Sequence, residues 1–235
     1  MTLRLSYFVP PPALVAAHER GLLDDVDLIE TRTTGSAAQL TGLLEGSLDV
    51  VVTAIDNLFE WTRAGADVRL VAQVEATTPL AIFTRPEVDS LEGLAGGRFA
   101  VDAFDNGFAL VARYLLGQAG VQVDYIEVGG VKERLDALLA GEVTGTLLGP
   151  PFDGVARGAG MRELVTVQQA FPDFPGQGLV VRAAVVDLPE TEALLAALRQ
   201  GGLLPVEPAG IDLLTDIRDS LGLLAPGADV GALRA

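Results

Sequence analysis

Leu44-Glu45-Gly46-Ser47-Leu48-Asp49-Val50-Val51-Val52-Thr53-Ala54-Ile55-Asp56-Asn57-Leu58 is the stretch on which the fold turns. Gly46 stops a helix. Val50–Ala54 is an unbroken apolar run, as a parallel strand buried on both faces requires. Asp56-Asn57 then stands where a helix N-cap belongs, ahead of an apolar-periodic segment, Leu58–Ala64. Helix, strand and helix in succession are the beat of a βα-repeating chain.

Working outward, the same beat continues on both sides. Leu3–Tyr7 reads as a strand and Ala13–Leu23 as a helix opened by Pro10-Pro11-Pro12, where first-turn amides need no helical partner. Val26–Glu30 is a second strand, and Thr34-Gly35-Ser36 leads into a helix over Ala37–Leu44. Downstream, Val68–Val74 and Leu80–Thr84 read as strands. The rhythm restarts at Ser90 with a short helix at Leu91–Leu94. Strands follow at Arg98–Val101, Tyr125–Val128, Thr146–Leu148, Leu164–Gln168 and Leu179–Val181. Helices are expected over Phe108–Gln118, Val131–Ala140, Glu190–Gln200 and Ile211–Leu221. The expected architecture is α/β and two-lobed, each lobe a mostly parallel sheet flanked by helices, with a ligand cleft between the lobes. Lobe 1 takes residues 1–76 plus 179–235, lobe 2 takes 80–175, and hinge crossings fall near 77–79 and 169–178.

The bulk chemistry excludes several functions. The 235 residues carry a net charge of −16, which repels nucleic acid and anionic membrane. There is no Cys and one His, His18, so disulfides, thiolate metal sites and histidine-rich metal sites are out of reach. No metal and no cofactor are expected. No apolar stretch approaches the roughly 20 residues of a membrane span, and no leader is visible at Met1. The chain as written therefore reads as cytoplasmic, or as extracytoplasmic if a leader has been removed. The motifs GxSxG, GxxxxGK[ST], HExxH and CxxC are absent.

In open α/β sheets ligands bind beyond the carboxyl ends of strands. That rule selects Tyr7, Phe8 and Pro10, then Thr34 and Ser36, then Asp56 and Asn57. It also selects Asp102, Phe104, Asp105 and Asn106, with Pro150 and Phe152 after a later strand; Glu75 borders a crossing. Thr34, Ser36, Asp56 and Asn57 are also ordinary capping residues, and Tyr7 can equally be core. The loop with Asp102 and Asp105 has no Arg or Lys nearby in sequence, and with Asp56, Glu75 and Asp153 it crowds carboxylates toward one space. Such a site favours a cationic, zwitterionic or neutral polar ligand. Crowded carboxylates also raise one another's pKa, so Asp56, Asp102 and Asp105 are candidate acid/base groups for a lyase, decarboxylase or isomerase.

Four blocks carry a family resemblance. They are Ala17-His18-Glu19-Arg20-Gly21-Leu22-Leu23, then Gly35-Ser36 with Gln39-Leu40 and Leu44–Val50, then Leu91–Val101, and Leu135–Gly141 with Thr146–Phe152. In this order they resemble ABC-transporter substrate-binding proteins of the nitrate/sulfonate/taurine and thiamine-pyrimidine-synthase-like group. The resemblance implies a type II periplasmic-binding fold, hinged closure on a small-molecule ligand and, in transport, an ABC permease as partner. Cytosolic enzymes share the fold. The thiamine-pyrimidine synthases use histidine chemistry, so with His18 alone that identity is not expected.

Overall fold

A computed structural model describes residues 1–33, 35–105 and 107–234. The strand that decides the reading is β3 (Val50–Ala54), buried at every position. It sits in the middle of a five-stranded sheet with β1 (Leu3–Tyr7), β2 (Leu28–Arg32), β4 (Val68–Gln73) and β10 (Gln177–Arg182), in the order β2-β1-β3-β10-β4. A second five-stranded sheet joins β5 (Ala81–Thr84), β6 (Arg98–Val101), β7 (Asp124–Glu127), β8 (Gly145–Leu148) and β9 (Arg162–Thr166) in the order β7-β6-β8-β5-β9. In each sheet a single strand, β10 or β5, runs against the other four.

Helices connect the strands. In the first sheet's sequence these are α1 (Pro12–Glu19), α2 (Ser36–Glu45) and α3 (Asn57–Arg63); in the second, α4 (Ala109–Gln118), α5 (Val131–Leu139), α6 (Phe152–Gly158) and α7 (Val167–Ala170). The chain ends with α8 (Pro189–Gly201) and α9 (Pro208–Ser220). Two units result: Met1–Ala76, Pro175–Ile211 and Pro226–Ala235 form one, and Thr77–Phe174 with Asp212–Ala225 the other.

The two units follow one plan to the residue. Leu5 pairs with Val50 and Ser6 with Val51; Phe99 pairs with Gly145 and Ala100 with Thr146. The helix before β3 ends at Gly46 (φ 71°) and the helix before β8 runs into Gly141 (φ 73°), the left-handed stop that only glycine adopts without cost. Both reversed strands carry an irregularity at the same register, between Leu179 and Val180 and between Ile82 and Phe83.

In the first unit a core of Leu3, Leu5, Leu14, Val50, Val52, Leu179, Val181 and Leu194 holds α1 and α8 on one face of the sheet. Gly201 lets these helices close, because a Cβ there would lie 2.2 Å from the Ala13 carbonyl oxygen. Near the amino end of β3, Asp49 is fully buried. It accepts hydrogen bonds from Arg4 Nε at 2.7 Å, Arg4 Nη2 at 2.9 Å and Arg182 Nη2 at 2.8 Å. Among the described residues, no helix is long and apolar enough to cross a membrane.

Three local expectations shift. The first helix ends at Glu19, not Leu23, because Gly21 turns left-handed (φ 65°). The second strand begins at Leu28 instead of Val26. The strand expected over Leu164–Gln168 is β9 at Arg162–Thr166, and Thr166 starts α7 through a reciprocal capping box with Gln169, the Thr-x-x-Gln signature of a helix start.

Candidate functional site

Registers place the carboxyl ends of β1, β3 and β4 on one edge of the first sheet, where β10 enters with Gln177 opposite Ala54. In a sheet ordered 2-1-3 the connections leave β1 in opposite directions, the arrangement that opens a crevice in such sheets, and the pairing of β1 with β3 ends at Ser6 and Val51. Gln39, the fourth residue of α2, is buried there. Its Nε2 donates to the Ser6 carbonyl at 3.3 Å and the Val52 carbonyl at 3.1 Å. Because both neighbours are acceptors, the amide cannot be turned over. Gln39 Oε1 therefore faces away from them, buried and without a partner among the described residues. Asn57, at the start of α3, is likewise buried; its Nδ2 donates to Thr53 Oγ1 at 2.8 Å and its Oδ1 has no partner among the described residues. Buried acceptors without donors are rare in folded proteins and ask for a ligand or water.

The other expected residues of this unit have distinct settings. Asp56 is buried at the N-cap position of α3 without capping through its side chain. Ser36 opens α2 behind Gly35; Thr34 lies outside the described residues. Tyr7 is a core residue, its hydroxyl donating to Glu30 Oε2 at 2.8 Å; burial, reinforced by that bond, raises its pKa. Glu30 Oε1 in turn meets His18 Nε2 at 2.5 Å, so the lone histidine belongs to this side-chain chain. Phe8 is exposed and Pro10 half-buried. Glu75 Oε1 accepts the Gln177 amide at 3.4 Å.

In the second unit, Asp102 follows β6 and is exposed. Asp105 is held by Arg113 Nη1 at 2.8 Å, and the same nitrogen donates to the Phe104 carbonyl at 2.7 Å. The Arg113 guanidinium lies 3.8 Å over the Phe104 ring, whose edge meets Tyr125 at 5.7 Å between centroids. Phe104 and Asp105 thus lock their loop onto the sheet. Asp153 is paired with Arg157 at 2.9 Å. The expectation that the Asp102–Asp105 loop has no nearby cation is corrected at Asp105: Arg113, eight residues downstream, returns to pair with it. Phe152 packs against the unit's core and Pro150 is exposed; Asn106 lies outside the described residues.

Sequence reasoning passed over Gln39 and Arg134. Arg134 is buried; its Nη1 donates to the Leu147 carbonyl at 2.9 Å and its Nε to Gly130 at 3.4 Å. Burial lowers its pKa while Asp102 acts the other way. A polar residue inside the apolar stripe of each helix, four positions into it, was the available signal. Among the described residues, no three His, Asp or Glu side chains converge as a metal site.

A sequence profile of the family described as NMT1/THI5 like matches residues 15–204. No curated protein sequence matches significantly. Among solved structures, the alkanesulfonate-binding protein SsuA from Xanthomonas axonopodis pv. citri, bound to MOPS, superposes with a TM-score of 0.82 at 16% identity, covering 100% of this chain and 98% of that one. The ligand-binding component of an ABC-type import system from Staphylococcus aureus, with zinc bound, gives 0.81 at 17% identity over 97% and 94%. PhnD1 from Prochlorococcus marinus, in complex with methylphosphonate, gives 0.73 at 14% identity over 94% and 98%. These likenesses establish the periplasmic-binding fold.

Proposed function

The chain belongs to the NMT1/THI5-like family, and from that premise we propose that it binds a small polar solute at the carboxyl edge of the first sheet, as the substrate-binding component of an ABC importer or a soluble relative of one. The single observation that carries the reading is the orphaned Gln39 Oε1, fixed in orientation by two backbone acceptors at the point where the pairing of β1 with β3 ends. Asn57 Oδ1 adds a second unfilled acceptor and Asp56 a buried carboxylate in the same stretch. A site of acceptors calls for a ligand with N–H or O–H donors, so the solute is cationic, zwitterionic or neutral and donor-rich. In an importer the chain would work outside the cytoplasmic membrane and hand its solute to a permease. The solved neighbours, named for sulfonate, phosphonate or ABC import, support solute binding.

The test is thermal stability against cationic, zwitterionic, neutral and anionic metabolites, with each stabilising compound followed by mass spectrometry. A ligand at about 100 times its Kd adds about 2.7 kcal/mol. A donor-bearing compound that stabilises the wild type, is recovered unchanged, and loses affinity at least about tenfold in Gln39→Ala supports the proposal. A compound that is consumed makes the chain an enzyme working through its carboxylates and overturns it. Stabilisation only by donor-free anions overturns the ligand class.

A further inference from the structure

The first unit holds a cavity of about 750 Å³, away from the edge just described. It opens against β4, the outermost strand of its sheet. The outer edge of β4 is bridged at Leu70 by Arg234 and at Gln73 by Leu204. Between those two bridges Val71 and Ala72 form the cavity floor. Val71 is the extra residue there: Leu70 and Ala72 face consecutive residues of β10, Val180 and Leu179. An edge strand left open over two residues would ordinarily be covered or blunted by charge; here the two bridges wall it on both sides.

The lining has two characters. Leu203 and Val206 add apolar side chains to the lining, while Arg199 from the last turn of α8 and Arg234, both exposed, bring positive charge to it. Among the described residues, no carboxylate side chain lines the cavity. Arg199 and Arg234 enter none of the ion pairs between described residues, although acidic residues outnumber basic ones 32 to 16 in this chain. Arg234 is oriented by its own Nε donating to the Gly231 carbonyl at 3.0 Å. The volume falls within the roughly 300–1,000 Å³ of small-molecule sites.

We infer that this cavity is a second ligand site, for an amphiphilic carboxylate whose apolar chain lies on Val71, Ala72 and Leu203 and whose carboxylate meets Arg199 and Arg234. Guanidinium pairs suit a carboxylate through charge-assisted hydrogen bonds, and each buried methylene adds affinity. The site uses none of the residues assigned to the polar solute, so the two proposals stand or fall separately.

The probe is sodium octanoate, titrated calorimetrically into the full chain at low salt. One octanoate binds per chain, and Arg199→Gln and Arg234→Gln each weaken it at least about fivefold. Both arginines are exposed, so the variants keep the wild-type Tm. Octan-1-ol binds at least about tenfold more weakly than octanoate, and Gln39→Ala leaves octanoate binding unchanged. Absence of saturable binding, equal binding of the alcohol, or affinity unmoved in both arginine variants overturns the inference. Octanoate binding that is lost in Gln39→Ala places it in the polar-solute site and overturns it as well.

Discussion

Gln39 and Arg134 are the same residue of the architecture twice over: each is fourth in its helix, and each donates to the carbonyl of the third residue of the following strand, Val52 at 3.1 Å and Leu147 at 2.9 Å. One position is a neutral amide and the other a cation. That difference gives opposite expectations for apolar replacement.

Gln39→Leu strips donors from two buried carbonyls and is expected to cost about 1–3 kcal/mol. Arg134→Met removes a buried guanidinium that no carboxylate hydrogen-bonds, so relief of its desolvation offsets the lost bonds to within about 1 kcal/mol. Urea midpoints at constant m-value compare them. A larger loss in the arginine variant would show that Asp102 supports Arg134 more than the geometry implies.

Asp49 makes stability depend on acid. Burial pushes its carboxyl up, but the hydrogen bonds from Arg4 and Arg182 outweigh that and hold its pKa below the usual carboxylate value. A depressed folded pKa contributes stability above the unfolded pKa of about 4, lost as pH falls through the folded value. Asp49→Asn should cost about 3–5 kcal/mol at pH 7, because it leaves two arginines unpaired. The gap between variant and wild type should narrow below about pH 4, measured by denaturant titration across pH.

Tyr125 works at the alkaline end. Burial raises its pKa to about 12. A raised folded pKa means stability is complete below the unfolded value of about 10 and is lost as pH climbs through the folded one. Ultraviolet titration of the native chain should show a phenolate appearing near pH 12, missing in Tyr125→Phe. Ionisation of all three tyrosines near pH 10 would refute the burial.

Two glycine-to-alanine changes should act in opposite directions. Gly201→Ala pushes a methyl against the Ala13 carbonyl between α1 and α8, and a rigid backbone neighbour makes it destabilising by about 2–4 kcal/mol. At Gly117 in α4 a Cβ meets open space, so alanine there should stabilise by about 0.5–1 kcal/mol. Thermal unfolding of both variants checks the pair.

Much of the architecture was legible because buried strands announce themselves. Val50–Ala54 and Arg98–Val101 could be bounded to the residue from apolar runs between a glycine turn and a capping position. The restart at Ser90 was legible because both halves reuse one order of elements. The site was less so. Asp105 looked uncompensated because Arg113 is eight residues away in sequence, and only the helix brings it back. Gln39 signalled itself only by its place in the apolar stripe of α2, not by type, and its meaning lies in two carbonyls from different strands. The assignment of Asp212–Ala225 to the second unit was equally hidden, because an amphipathic period shows that a helix packs and not against what.

The placement of β10 also sets an order of assembly. The second sheet needs only residues 81–166 and is complete as soon as that stretch has been synthesised, whereas β4 joins the first sheet solely through β10 and must wait for Arg182. On a ribosome adding about 5–20 residues each second, the later-encoded unit can therefore finish its sheet before the one that begins the chain. For that interval β3 and β4 each keep an open edge where β10 will enter, and open edges invite pairing with other chains.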